Sequence, residues 1–249
     1  MSDSIFKDRV ALVTGASRGI GRGIALALGR AGATVVVNFR SRAEEAGKVA
    51  SEIKTSGGKA RTWKADVTDR VEAPKMVEGV AAEFGRLDIL VNNAGVLQDG
   101  PLMMMSDEQW DAVVKPALDG AFLCSRAAMR PMIERRSGVI LNVSSVSWRV
   151  GVPGQTNYAT AKAGLVGFTR ALAAEVARFG IRVNAIAPGL VETEMSEKVP
   201  EKMRKKILEA VPMGRAATVD EVVGPAMFLI GDGAGYITGE VMDVDGGMS

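Results

Sequence analysis

The amino-acid sequence predicts an α/β protein in which one doubly wound parallel sheet of about seven strands carries helices on both faces. Short apolar runs rich in β-branched residues are bounded by Gly, Asn or Asp, as expected of strands buried on both faces. Segments of helical period lie between these runs, and such alternation builds βαβ units. The predicted strands are Val10–Val13, Thr34–Val37, Ala60–Trp63, Ile89–Val91, Val139–Val143, Val183–Ala187 and Val241–Val244.

Capping patterns mark the start of three predicted helices. An Asp, Ser or Thr is followed three residues later by Glu or Gln, so that side chains and backbone can exchange hydrogen bonds. The three pairs are Asp69 with Glu72, Ser106 with Gln109, and Thr218 with Glu221.

The 249 residues predict a single domain over 1–249, because no linker, repeat or low-complexity stretch breaks the alternation. The longest interruption, from Pro188 to Pro212, contains a charged helical segment, Glu201–Glu209. Ligands of open α/β sheets bind beyond the carboxyl ends of strands. We therefore predict a lid over 190–212, with an ordinary surface excursion as the alternative.

The composition excludes several kinds of chemistry. The chain has no His and one Cys, which excludes Ser-His-Asp catalysis, imidazole metal sites and disulfide frameworks, and we predict no metal. Its net charge of +2 argues against a nucleic-acid partner. Without a signal-peptide core or a run of about 18 apolar residues, we expect a cytoplasmic protein with no membrane partner. Acid–base chemistry must therefore use Tyr, Lys, Asp or Glu.

A glycine-rich turn follows the first predicted strand and leads into a helix. It reads Thr14-Gly15-Ala16-Ser17-Arg18-Gly19-Ile20-Gly21. Glycines permit positive φ and let the backbone approach a pyrophosphate at the helix N-terminus. The spacing is G-x-x-x-G-x-G rather than G-x-G-x-x-G, yet its position favours a Rossmann-type dinucleotide site over a turn without a ligand.

The end of the second strand indicates which dinucleotide would bind. An acidic residue about 20 positions after the glycines holds the ribose of NAD, whereas an Arg accommodates a 2′-phosphate. Here the strand continues through Asn38 to Arg40, and no carboxylate precedes Glu44. Together with Arg18 in the turn, this favours NADPH/NADP+; the alternative is that both arginines are merely solvated.

Tyr158 and Lys162 are four residues apart at the start of a predicted helix, so both side chains leave the same face. A nearby ammonium favours phenolate over phenol and lowers the tyrosine pKa from about 10. Tyr158 is therefore a candidate proton donor to a carbonyl oxygen in a chain that has no His.

These motifs resemble the short-chain dehydrogenase/reductase family along the whole chain. Further matching stretches are Asp66-Val67, Asn92–Gly95, Ser144-Ser145 and Pro188 to Thr193. The resemblance is greatest to bacterial 3-oxoacyl-acyl-carrier-protein reductases, through Gly154–Tyr158, Ala187–Thr193, Tyr236–Glu240 and Asp245–Met248.

The resemblance implies a role for each matching position. Ser145 would hydrogen-bond the substrate carbonyl, Tyr158 would donate the proton, and Lys162 would bind the nicotinamide ribose. Gln155, with Ser145 and Tyr158, would contact the substrate. The implied cofactor contacts are Gly15, Ser17, Arg18, Gly19, Ile20, Gly21, Asn38, Arg40, Asp66, Val67, Asn93, Ala94, Gly95, Tyr158, Lys162, Pro188, Gly189, Val191 and Thr193.

One position departs from the family pattern. The family usually has a catalytic Asn in an N-L-x-G-x-F stretch, which here begins with Ala117 after Pro116. An Ala side chain cannot hold the water of a proton relay, and Pro strains a continuous helix. The relay is therefore in doubt, although Ser145, Tyr158 and Lys162 remain.

Two groups of basic residues suggest how an acidic acyl carrier protein could be steered to the site. They are Arg126, Arg130, Arg135 and Arg136, and Lys202, Arg204, Lys205 and Lys206; the alternative is a pair of solvated faces. Arg136 matches a carrier-docking Arg of relatives. The helices around Ala117–Met132 and Tyr158–Ala177 are the surfaces through which relatives form tetramers.

Three functions follow. The first is NADPH-dependent reduction of a 3-oxoacyl thioester, carried by an acyl carrier protein, to the 3-hydroxyacyl form in fatty acid, polyketide or polyene synthesis. The second is dehydrogenation of a short-chain alcohol, sugar or steroid. The third, suggested by Ala117, is a weakly active cofactor-binding subunit that pairs with a paralogue in a hetero-oligomer instead of forming a homotetramer.

Overall fold

The computed structural model describes residues 5–199 and 201–249. Seven parallel strands form one sheet in the order β3-β2-β1-β4-β5-β6-β7, and the predicted fold class is confirmed. The strands are β1 (Val10–Val13), β2 (Thr34–Phe39), β3 (Lys59–Lys64), β4 (Ile89–Asn92), β5 (Gly138–Val143), β6 (Ile181–Pro188) and β7 (Val241–Val244).

Helices cover both faces of the sheet. They are α1 (Gly19–Arg30), α2 (Ala43–Thr55), α3 (Glu72–Phe84), α4 (Asp107–Val114), α5 (Gly120–Arg135), α6 (Thr156–Val176), α7 (Glu201–Ala210) and α8 (Val219–Ile230). Successive strand residues point to opposite faces. In β1, Ala11 and Val13 pack with α1, α2 and α8, whereas Val10 and Leu12 pack with α3 and α5. This double burial explains why β1 is apolar throughout.

The capping pairs have different outcomes. Ser106 with Gln109 and Thr218 with Glu221 form reciprocal capping boxes at α4 and α8, as predicted. The prediction for Asp69 with Glu72 is only half right. Asp69 accepts the backbone N–H of Glu72, but the Glu72 carboxylate accepts the N–H of Asp66 instead of that of Asp69. The reason is that α3 begins at Glu72 itself.

A π-helical turn, Lys115–Asp119, joins α4 to α5. Pro116 lies inside it, so the strain predicted at this proline is accommodated by wider winding. The turn also lets α4 pack against α6 while α5 packs against α3. Ala117 is buried within the turn.

From β1 to β3 successive strands are added toward one edge of the sheet, and from β4 to β7 they are added toward the other edge. The strand order therefore switches between β1 and β4, which are neighbours. Thr14 follows β1 and Asn93 follows β4, and the Asn93 N–H donates to Thr14 Oγ1 at 2.9 Å. Ligands of doubly wound sheets bind beyond the strand ends at such a switch point. Among the helices of the described ranges, none has both the length and the apolar character to cross a bilayer.

Candidate functional site

A cleft of about 340 Å³ opens at the carboxyl ends of the strands. Every residue that the sequence predicts to form the site lines this cleft, with the exception of Gly21. The segment 190–212 contributes several residues to the opposite wall, namely Leu190, Val191, Thr193, Glu194, Met195, Ser196, Val199 and, from α7, Ile207. Within the described residues, no group of three or more Cys, Asp or Glu side chains is arranged to hold a metal ion.

The glycine turn is held in shape by Asn93. Gly15 and Gly19 have φ angles of +61° and +55°, which side chains rarely adopt. Gly21 lies beneath the turn, where a Cβ would collide with the Asn93 amide. That amide donates to the carbonyls of Thr14 (2.9 Å) and Gly15 (3.1 Å). Asn93, predicted as a cofactor contact, thus uses its side chain to brace the turn.

Asn38 has a similar supporting role. It is buried, its Oδ1 accepts the Gly15 N–H at 3.2 Å, and its Nδ2 donates to the carbonyls of Ala65 (3.1 Å) and Trp63 (3.3 Å). Both ends of the amide are therefore committed to backbone. Asn38 ties the turn to β2 and β3, which its position in the sequence could not indicate.

The wall built from the turn fits a dinucleotide phosphate. No side chain in the described part of the chain caps the N-terminus of α1, so its first N–H groups are left for an anion. Gly15 and Gly19 let the backbone approach closely, and Arg18, Arg40 and Arg42 supply positive charge along the same cleft. Arg42 was not singled out in the sequence.

The arginines of this wall are paired with carboxylates. Arg40 faces Asp66 at 3.5 Å. Arg18 and Arg42 both face Glu194, at 2.8 and 3.3 Å. Arg18 is thus paired with a carboxylate, whereas the Arg40 side chain is 62% exposed and also fits the solvated alternative.

Ser145, Tyr158 and Lys162 come together in the same cleft. Ser145 follows β5, whereas Tyr158 and Lys162 lie one turn apart on α6. Lys162 is buried, and its Nζ donates to the Val143 carbonyl at 2.7 Å. The same Nζ lies 5.5 Å from the centre of the Tyr158 ring. Burial lowers the pKa of Lys162 to about 8.

The Tyr158 hydroxyl is desolvated, and this raises its pKa above the usual value. A hydrogen bond with Ser145 acts in the opposite direction but does not outweigh burial. The prediction that Lys162 holds the Tyr158 pKa below its usual value is therefore wrong for this structure. The physical reason is that the desolvation of the phenol dominates while the ammonium is directed at Val143.

A chain of hydrogen bonds runs outward from Ser145. Its Oγ lies 3.3 Å from Ser147 Oγ, which donates to Gln155 Oε1 at 3.1 Å, and Gln155 Nε2 donates to Asp99 Oδ2 at 3.0 Å. An ionised carboxylate only accepts, so Asp99 fixes the orientation of the Gln155 amide. Burial raises the Asp99 pKa. Sequence reasoning identified Ser145 and Gln155 but missed Asp99 and Ser147, which no local motif distinguishes.

Ala117 does not line the cleft, although the adjacent Pro116 does. The π turn therefore presents no side-chain amide toward Lys162 at the position where the family pattern has one.

The basic residues on and after α5 and those on α7 differ in their surroundings. On α5, Arg126 stacks over Phe122 at 4.7 Å and Arg130 donates to Glu134 at 2.9 Å. Arg136 donates to the Arg178 carbonyl at 3.0 Å. On α7, the four basic side chains are exposed around the face that carries Ile207 into the cleft. The α7 group is thus the one placed beside the site.

The sequence matches the family model described as enoyl-(acyl carrier protein) reductase over residues 15–249. It is 44% identical over 243 residues to the 3-oxoacyl-[acyl-carrier-protein] reductase FabG of Escherichia coli strain K12, with 98% of each chain covered. It is 43% identical over 238 residues to the FabG of Staphylococcus aureus strain Mu50, covering 96% of this chain and 97% of that protein.

The fold matches a crystal structure from Sinorhizobium meliloti 1021 that is assigned to a short-chain alcohol dehydrogenase. The TM-score is 0.93 with 41% sequence identity, over 99% of this chain and 98% of the other.

Proposed function

The chain belongs to the short-chain dehydrogenase/reductase family, and on that premise we propose that it reduces 3-oxoacyl thioesters to 3-hydroxyacyl thioesters with NADPH. The observation that carries the proposal is the meeting of Ser145, Tyr158 and Lys162 opposite the glycine turn in one cleft. NADPH, when bound, supplies the hydride. The names of the relatives support an acyl carrier protein as the bearer of the substrate.

Each catalytic side chain has a task that its surroundings suit. Ser145 donates to the substrate carbonyl and stabilises the negative charge that develops on its oxygen. Tyr158 holds its proton because burial raises its pKa, and it gives that proton to the same oxygen. Lys162 keeps two further N–H groups beside its bond to Val143, and these bind the nicotinamide ribose.

The opposite wall completes the proposal. Residues 190–212 form a lid, supported by the presence of Val191, Thr193, Met195 and Ile207 in the cleft lining. The exposed cations of α7 draw the acidic carrier protein to this side. We also propose a cytoplasmic homotetramer formed through α5 and α6, as the resemblance implies.

The test is NADPH oxidation with an acetoacetyl thioester as substrate. Tyr158→Phe should lower kcat at least about 100-fold, because the proton donor is lost. Tyr236 is the other tyrosine of the chain and is fully exposed, so Tyr236→Phe is the matched control and should retain activity. Absence of turnover with every 3-oxoacyl thioester would contradict the proposal.

Two alternatives remain, each with an observation in its favour. The Sinorhizobium structure favours an alcohol substrate, and parallel assays with free alcohols, sugars and steroids separate that function from thioester reduction. Ala117 favours a weakly active subunit that pairs with a paralogue. Turnover by the purified homomer at a rate typical of such reductases would exclude the second alternative.

A further inference from the structure

Glu194 bridges the two walls of the cleft. Its Oε2 accepts hydrogen bonds from Arg18 Nη1 at 2.8 Å and from Arg42 Nη1 at 3.3 Å. Arg18 belongs to the glycine turn and Arg42 follows β2, whereas Glu194 lies on the segment 190–212 beyond β6. All three line the cleft. A single carboxylate oxygen thus joins the phosphate-binding wall to the lid.

The chemistry of this bridge is that of phosphate recognition. Guanidinium groups bind carboxylates and phosphates through the same donors and in similar geometry. Arg42 has a second acidic neighbour, Glu45, but at 3.7 Å and on the same wall. Glu194 occupies one Nη1 donor of Arg18 and one of Arg42. A phosphate that approaches these two arginines therefore competes with the Glu194 carboxylate for them and is repelled by its charge.

The ion pairs of Glu194 with Arg18 and Arg42 are also exposed enough for a ligand to replace the carboxylate. The side chains of Arg18, Arg42 and Glu194 are 32%, 39% and 52% exposed. Ion pairs at such positions are worth little to the fold, because water screens them. The pair of Arg86 with Asp88 is different, since its carboxylate is only 8% exposed and also accepts the N–H of Val10.

We propose that Glu194 is an acidic latch that holds the lid segment to Arg18 and Arg42 until the 2′-phosphate of the dinucleotide displaces it. The inference rests on the proposed function, since it requires a phosphorylated dinucleotide in this cleft. Glu194 then lowers the affinity for every 2′-phosphorylated nucleotide, because its carboxylate competes with the phosphate for Arg18 and Arg42.

Calorimetric titration with 2′,5′-ADP and with ADP tests the latch without any catalytic turnover. Glu194→Gln should tighten 2′,5′-ADP binding about three- to tenfold and change ADP binding less than about twofold. Glu192→Gln removes the same charge two residues away, from an exposed side chain outside the cleft lining, and should change neither affinity. Arg42→Gln should weaken 2′,5′-ADP binding. In the Arg42→Gln background, Glu194→Gln should increase the affinity for 2′,5′-ADP less than it does in the wild type.

Each contrary result is distinct. Unchanged or weaker 2′,5′-ADP binding by Glu194→Gln overturns the latch and leaves the reductase activity standing. Equal tightening of ADP and 2′,5′-ADP overturns the assignment to the 2′-phosphate. A wild-type protein that binds neither nucleotide overturns both the latch and the proposed function.

Discussion

Replacing Gly21 with alanine should destabilise the protein and weaken nucleotide binding together. The added Cβ would collide with the Asn93 amide and lie 2.9 Å from the Gly15 carbonyl oxygen. Moving the amide breaks its hydrogen bonds to Thr14 and Gly15, which costs about 2 kcal/mol at about 1 kcal/mol each. Overpacking adds about 1–3 kcal/mol, and the better helix propensity of Ala returns at most about 1 kcal/mol. We expect a net loss of about 2–4 kcal/mol.

The assay is urea denaturation followed by tryptophan fluorescence at one fixed protein concentration. The matched control is Gly47→Ala in α2, where a Cβ would meet no atom within 4 Å; it should stabilise by about 0.5–1 kcal/mol. The affinity for 2′,5′-ADP, measured by calorimetry, should fall for Gly21→Ala alone. The reasoning is refuted if Gly21→Ala matches the wild type within about 0.5 kcal/mol and binds the nucleotide equally well.

Two further changes probe the catalytic wall. Ala117→Asn should raise kcat for thioester reduction several-fold with little change in NADPH affinity, because it restores an amide for a relay water. Steady-state kinetics measure both quantities. An unchanged kcat would mean that another group carries the relay. Lys162→Met should alter the pH dependence of stability, since the Lys162 pKa is about 8 in the folded protein and 10.5 as a free side chain. Between these values the unfolded chain binds more protons, so the wild type should gain up to about 3 kcal/mol over Lys162→Met as pH rises through this window. Urea curves at pH 7 and 10 measure the gain, and a constant difference between the two proteins would exclude it.

The sheet could be predicted from the sequence because strands that are buried on both faces are apolar at consecutive positions. Six of its strands appear as runs of apolar residues. The ends were less clear, since the polar residues Asn38 and Asn92 belong to their strands through backbone pairing that an apolar pattern does not register. The edge strand β3 gave only a weak signal, because its outer residues are exposed. The half-formed cap at Asp69 was missed for a similar reason, as Glu72 reaches Asp66 rather than its local partner.

The site was predictable where motifs are local and unpredictable where contacts span the chain. The glycine turn and the pair Tyr158 and Lys162 are each contained in a few residues. The bridge between Arg18 and Glu194 joins positions 176 residues apart, and no local pattern indicates such a pairing. The direction of the Tyr158 pKa also depends on the burial that folding imposes, which the spacing of two residues does not contain.

The π turn at Lys115–Asp119 accommodates one extra residue between α4 and α5. A residue advances an α-helix by about 100°, and a π turn holds one residue more than an α turn. Because the wider winding takes up that residue, deleting one residue here would restore an ordinary helical turn and leave the face that α5 presents to α3 in place, whereas deleting one residue within α5 would rotate that face by about 100°. A chimeric reductase with a junction in this region must therefore keep the extra residue inside the turn, because moving it into α5 would rotate every later residue of that helix by about 100°.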